Sequence, residues 1–142
     1  MSNKFLTPIK QFLRLGATSA KAPSPQPKRI GDWAEDRAKD YLLERGLSLR
    51  EANYRCKSGE IDLIMLDQKS LVFVEVRSRG SADYGSALES VNYFKQQRLI
   101  RAAKHYLQNK RLTDRLPCRF DVISVDRHAE VQWIQNAFIA NA

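Results

Sequence analysis

The stretch "GEIDLIMLDQKSLVFVEVRSR", residues 59–79, holds Glu60, Asp62 and Glu75 inside two runs of strand-forming residues. Successive strand residues point to opposite faces, so Glu60, Asp62, Ile64 and Leu66 share one face, while Ile61, Leu63 and Met65 share the other. In the second run Leu71, Phe73, Glu75 and Arg77 lie together. The intervening "DQKS" (67–70) has hairpin-loop composition. Pairing Leu66 with Leu71 sets Ile64 opposite Phe73, Asp62 opposite Glu75 and Glu60 opposite Arg77. Both strands are apolar on the remaining face, which predicts a sheet buried there, with the carboxylates projecting from one end of a partly apolar face.

Like charges directly across a strand pair repel, by up to about 1 kcal/mol when solvated and more when partly buried. A divalent cation between Asp62 and Glu75 would remove that cost. Two carboxylates with several retained waters suit Mg²⁺, and an ion so held can activate water and stabilise charge on a phosphate oxygen. The structural alternative is a Glu60–Arg77 ion pair with Asp62 and Glu75 facing solvent.

The flanking helical patterns bear on the choice. In 32–45, Ala34, Ala38, Tyr41 and Leu42 recur at helical spacing, Asp32 and Glu35 match a capping box, and Gly46 supplies the stop. Glu35 sits at the edge of that apolar stripe. "LSLREANYRC" reads as a short strand and turn leading into the hairpin. After a loop containing Gly80 and Gly85, Ser86 and Glu89 match a second capping box, and a helical pattern runs to about Asn109. Leu88, Val91, Lys95, Leu99, Ala102 and Tyr106 form its stripe, so Lys95 lies inside an apolar face. It either snorkels to the rim or reaches the carboxylates. "CRFDVISV" and "VQWIQ" follow as strands joined by a turn at 126–130.

With 142 residues and 43% hydrophobic composition, the chain suits one domain with one core. Six of the eight net positive charges fall in residues 1–31, which contain no acid. Basicity favours an anionic partner, nucleic acid or a membrane surface, but describes the tail more than the body. The proline-rich "ATSAKAPSPQPK" (17–28) reads as a linker, giving a basic tail over 1–28 and a folded domain over 29–142. Within the tail, Thr7 and Pro8 could start a two-turn helix able to dock a partner, although so short a helix is unstable alone. The chain lacks the apolar run of a signal peptide or membrane span, and Cys56 and Cys118 with His105 and His128 show no metal-ligand spacing. These features point to a soluble protein of a reducing cytoplasm.

A helix with Glu, then G-E-I-D, V-E-V-R and a helix bearing Lys resembles the PD-(D/E)XK, or restriction-endonuclease-like, nucleases. Within that superfamily the chain resembles the YraN family of small bacterial proteins. "GDWAEDRAKDYLLERG", "NYRCKSGEIDLIMLD", "LVFVEVRSR", "YGSALESVNYFKQQRLIRAAKHYL" and "CRFDVISV" fit in order across residues 29–138. The resemblance implies an α/β fold with a central mixed β-sheet flanked by helices, and a Mg²⁺- or Mn²⁺-dependent endonuclease acting on DNA, including branched DNA. Asp62 and Glu75 then match the two motif acids as metal ligands, Glu35 matches a helical glutamate that assists them, and Arg77 stands where the motif has lysine. Arginine can neutralise phosphate charge but accepts a proton poorly. Lys95 would then supply the missing lysine from the neighbouring helix. Arg79, Arg98, Arg101 and Lys104 would meet the nucleic-acid backbone, although Arg98 and Arg101 equally suit a solvated helix face. A junction cutter implies two active sites and so a homodimer. The competing reading, carried by Arg77, is a nucleic-acid-binding or protein-interaction module that keeps the fold without the chemistry.

Overall fold

The computed structural model describes residues 30–79 and 90–140. The basic tail with its linker, the Gly80 and Gly85 loop and the Ser86 and Glu89 capping box lie outside the described residues. The elements run α1 (Ile30–Glu44), β1 (Ser48–Cys56), β2 (Gly59–Asp67), β3 (Ser70–Arg79), α2 (Tyr93–Asn109), β4 (Cys118–Asp126) and β5 (Val131–Phe138). They make a five-stranded mixed sheet in the order β1-β2-β3-β4-β5, in which only the β3–β4 pair is parallel. A parallel pair needs a long crossover, and α2 lies within it.

Alternation along the central strands splits the core in two. Leu63, Met65, Val72, Val74, Ile123 and Val125 pack with Ala34, Ala38 and Leu42 of α1. Ile64, Leu71, Phe73, Phe120 and Val122 pack with Leu99, Ile100, Ala102, Ala103 and Tyr106 of α2. The helices therefore cover opposite faces, the α/β sandwich of a mixed sheet that the sequence predicts. Among the described residues, no helix is long and apolar enough to cross a membrane.

The ends of the helices show how far local pattern carries. Gly46, at φ 92, closes α1 as predicted: Leu47 N–H donates to the Leu42 carbonyl and Gly46 N–H to the Leu43 carbonyl, the six-residue helix stop that favours glycine. The start differs. α1 already includes Ile30, so Asp32 and Glu35 lie inside the helix rather than forming its capping box. α2 begins at Tyr93, where the Asn92 side chain accepts the Lys95 N–H at 3.0 Å.

The hairpin register is as predicted for Leu66↔Leu71 and Ile64↔Phe73, and the ladder ends at Leu63↔Val74. Beyond it, the Val76 N–H donates to Asp62 Oδ2 at 2.8 Å, so a side chain takes over where the strands stop pairing. Glu60 consequently never meets Arg77: it pairs with Arg55 across β1 at 3.6 Å, and Arg77 turns to Glu75. The β1–β2 register shifts between Leu49 and Glu51 and then holds to Cys56↔Gly59; within that stretch, opposite Asp62, Asn53 has φ 54, a left-handed conformation that asparagine tolerates. Past it, Tyr54 and Ile61 pack with the α2 cluster, so Ile61 leaves the face shared by Leu63 and Met65.

Asp121 plays a similar part at the β4–β5 irregularity, with a different outcome. Only 1% exposed, it accepts the Asn136 N–H at 2.9 Å, the Trp133 indole N–H at 2.9 Å and the Arg119 guanidinium at 3.1 Å. Arg119 also reaches Asp67 at 3.0 Å. A buried carboxylate so fully partnered is structural, and removing it strands two N–H groups and leaves the Arg119 guanidinium with Asp67 alone. Asp121→Ala is expected to lower unfolding free energy by roughly 3–5 kcal/mol in urea titrations, against under about 1 kcal/mol for Glu60→Ala in its exposed pair.

Candidate functional site

Where the β2–β3 ladder ends, Asp62 and Glu75 come together without a set of partners like that of Asp121. Glu75 is 7% exposed on β3. The two carboxyls are close enough for the charge of Asp62 to act on Glu75. Lys95 Nζ stands 3.4 Å from Glu75 Oε1 and Arg77 Nη1 3.9 Å from the same oxygen. Lys95 thus reaches inward from the first turn of α2 to the carboxylates. It is the nearer of the two cations.

Burial, then the charge of Asp62, pushes Glu75 up to about 7, despite the opposing pull of Lys95 and Arg77. Burial likewise raises Asp62, with the Glu60 charge adding to it and the Val76 N–H opposing it. The physical state is a pair of neighbouring carboxyls that resist losing their second proton. On the α1 side, burial and then the Asp62 charge raise Glu35 to about 7, with a hydrogen bond to Asn53 opposing. Glu35 on α1 thus feels the charge of Asp62 on β2.

An open cleft of about 230 Å³ lies over these groups, lined by Gly59, Glu60, Asp62, Glu75, Lys95, Arg98 and Leu99. At roughly 30 Å³ per water it has room for about seven, enough for a hydrated ion or a phosphate group but not for a nucleoside as well. Gly59 sets one wall: at φ 154, its missing Cβ would lie 3.5 Å from the Arg98 carbonyl, so the hairpin end lies close against α2. Among the described residues, no group of three or more His, Cys, Asp or Glu side chains could hold a metal ion. The fit for a divalent cation therefore rests on Asp62 and Glu75, with water and phosphate oxygens filling the remaining positions, which is a Mg²⁺-like donor set. Glu35 neighbours this pair without completing a three-acid cluster.

The remaining predicted residues separate. Arg98 lines the cleft. Arg101 is exposed farther along α2, and Lys104 borders a different depression beside Phe73 and Phe120. Arg79 hydrogen-bonds Gln132 at 3.3 Å and does not line the cleft. Gly59 and Asn53 were not singled out in the sequence; a glycine at a hairpin end is the only signal that pointed to the first. Cys56 and Cys118 are both free thiols.

Fold and site together define an α/β sandwich with a phosphate-sized cleft over two buried carboxyls and a lysine. The chain belongs to the family described as "Uncharacterised protein family UPF0102", the YraN family, whose model matches residues 34–125. A UPF0102 protein of Legionella pneumophila is 49% identical over 111 residues, covering 78% of this chain and 94% of the relative. One from Saccharophagus degradans is also 49% identical, over 78% of this chain and 93% of its own length. A third, from Alkalilimnicola ehrlichii, is 50% identical over 84% of this chain and 93% of its own length.

The raised carboxyls fix a sign for pH dependence. Glu75 binds its proton more tightly when folded, so its contribution to stability is full below about 4.5 and is lost as pH rises through about 7. Glu75→Gln keeps the uncharged form. In urea unfolding with a chelator present, that variant should gain on the parent by roughly 1–3 kcal/mol between pH 4.5 and about pH 8. A difference that stays flat over that range would contradict the burial of this carboxyl beside Asp62.

Proposed function

We propose that this protein is a divalent-metal-dependent phosphodiesterase acting on nucleic acid, in the first place DNA. The observation that carries this reading is the Asp62–Glu75 pair, two adjacent buried carboxyls whose repulsion a divalent cation would relieve, with Lys95 at 3.4 Å in a phosphate-sized cleft. Asp62 and Glu75 would hold Mg²⁺ or Mn²⁺, with Glu35 assisting through water. The bound ion would supply Lewis-acid stabilisation and a more acidic water.

The protein's own groups account for the rest. The Val76 N–H fixes one oxygen of Asp62, which orients that carboxylate before any ligand arrives. Lys95 sits where its ammonium can leave Glu75 for a phosphate oxygen, stabilising the charge that builds up as the phosphodiester is attacked. Arg77, farther from Glu75, is a second permanent cation. Leu99 closes one wall with an apolar surface, which limits water beside the reacting groups. For this role, a lysine on α2 takes the place that Arg77 occupies in the strand motif.

Labelled duplex, single-stranded and four-way-junction DNA and RNA, incubated with Mg²⁺ or Mn²⁺, test the reading. Parent protein should cleave at least one of them, Asp62→Asn and Glu75→Gln should each lose on the order of 100-fold or more, and Lys95→Ala a comparable factor. Arg77→Lys should retain activity. Binding without cleavage of every substrate would favour the non-catalytic module instead.

A further inference from the structure

The cleft has no room for a nucleoside beside a bound phosphate, so a base attached to a phosphate bound there must lie on the surface around it. α2 supplies that surface. Over its 17 residues the helix carries Lys95, Arg98, Arg101 and Lys104 and not one acidic residue. At 100° per residue, Phe94, Arg98 and Arg101 fall at i, i+4 and i+7 on one side, and all three are exposed. Phe94 is 77% exposed, the most of any big apolar side chain among the described residues, and Tyr93 beside it is 66% exposed. Their rings meet edge to face at 5.8 Å between centroids. They immediately precede Lys95, the residue that reaches Glu75, so the aromatic pair borders the site.

Among the described residues, neither ring belongs to the core cluster on this face, which takes Val91, Leu99, Ala102 and Tyr106 from the same stretch of chain. A cationic track beside exposed aromatic rings is the chemistry that binds single strands: cations follow the phosphates while bases stack on the rings. A fully paired duplex keeps its bases stacked on each other and offers these rings nothing.

We propose that Tyr93 and Phe94 form a base-stacking platform at the mouth of the cleft, with Arg98 and Arg101 guiding the adjoining phosphates, and that the protein thereby selects nucleic acid with unpaired bases over continuous duplex. The proposal rests on the nucleic-acid reading above. It is independent of whether the strand is cut.

The test measures affinity by fluorescence anisotropy with full-length protein in EDTA, which separates binding from cleavage. One duplex is continuous, and the other carries a short unpaired segment containing 2-aminopurine, whose quenching reports stacking. The parent should prefer the interrupted duplex by roughly fivefold or more and quench the probe. Phe94→Ala should bring the ratio towards one and abolish quenching, Tyr93→Ala should do so in part, and Phe94→Trp should restore both. Arg98→Ala should weaken binding to either duplex. Both aromatics are exposed, so these variants are expected to fold, which circular dichroism checks. Equal affinity of the parent for the two duplexes, or a ratio unmoved by Phe94→Ala, would overturn the platform while leaving the nucleic-acid reading in place. Absence of binding to any nucleic acid would remove both. Self-association that disappears in Phe94→Ala, with the duplex ratio unmoved, would instead assign the rings to a contact between copies of the chain.

Discussion

Asp62 and Glu75 are held side by side where β2 and β3 stop pairing, and most of the unusual features of this domain follow from keeping two acids there. An isolated buried carboxylate is costly, and two are worse. The fold limits the cost with the Val76 N–H and the Lys95 ammonium, but it does not remove it, since Glu75 still rises to about 7. Asp121 shows that the same sheet can bury an acid with a complete set of donors and a guanidinium. The contrast between the two sites separates an acid whose charge is fully partnered from a pair whose charge the fold compensates only in part.

The two apolar layers make this arrangement possible. α1 and α2 clamp opposite faces of the sheet through Leu42 and Tyr106 among others, so the strands stay fixed although their ladder ends early. Asn53 then turns the end of β1, which brings Tyr54 and Ile61 to the α2 side and its own side chain to Glu35. Acids from α1, β2 and β3 thus converge electrostatically where the β2–β3 ladder ends, and Lys95 arrives from α2.

Much of this was legible in the sequence because it is local. The 67–70 loop fixed the register of Leu66 and Leu71, and Gly46 marked the end of α1. A lysine inside an apolar stripe required a partner, and Glu75 is that partner. What could not be read depends on neighbours distant in sequence. The Glu60–Arg77 pair fails because Asp62 captures a backbone N–H and ends the ladder first. Capping-box spacing placed Asp32 at a helix start, yet α1 extends to Ile30. The Asp121 network joins residues of β4 and β5 to Asp67 at the β2–β3 hairpin, and nothing in any one segment announces it.

The central claim is that Asp62 and Glu75 form a divalent-cation site that competes with a shared proton. Calorimetric titration of Mn²⁺ into the parent and Asp62→Asn, in buffers of different ionisation enthalpy, measures both the binding and the protons released. The account predicts binding by the parent that displaces about one proton near pH 6, few near pH 8.5, and is lost in Asp62→Asn. A parent that binds no Mn²⁺, or binds it equally after Asp62→Asn with no proton released, would contradict it.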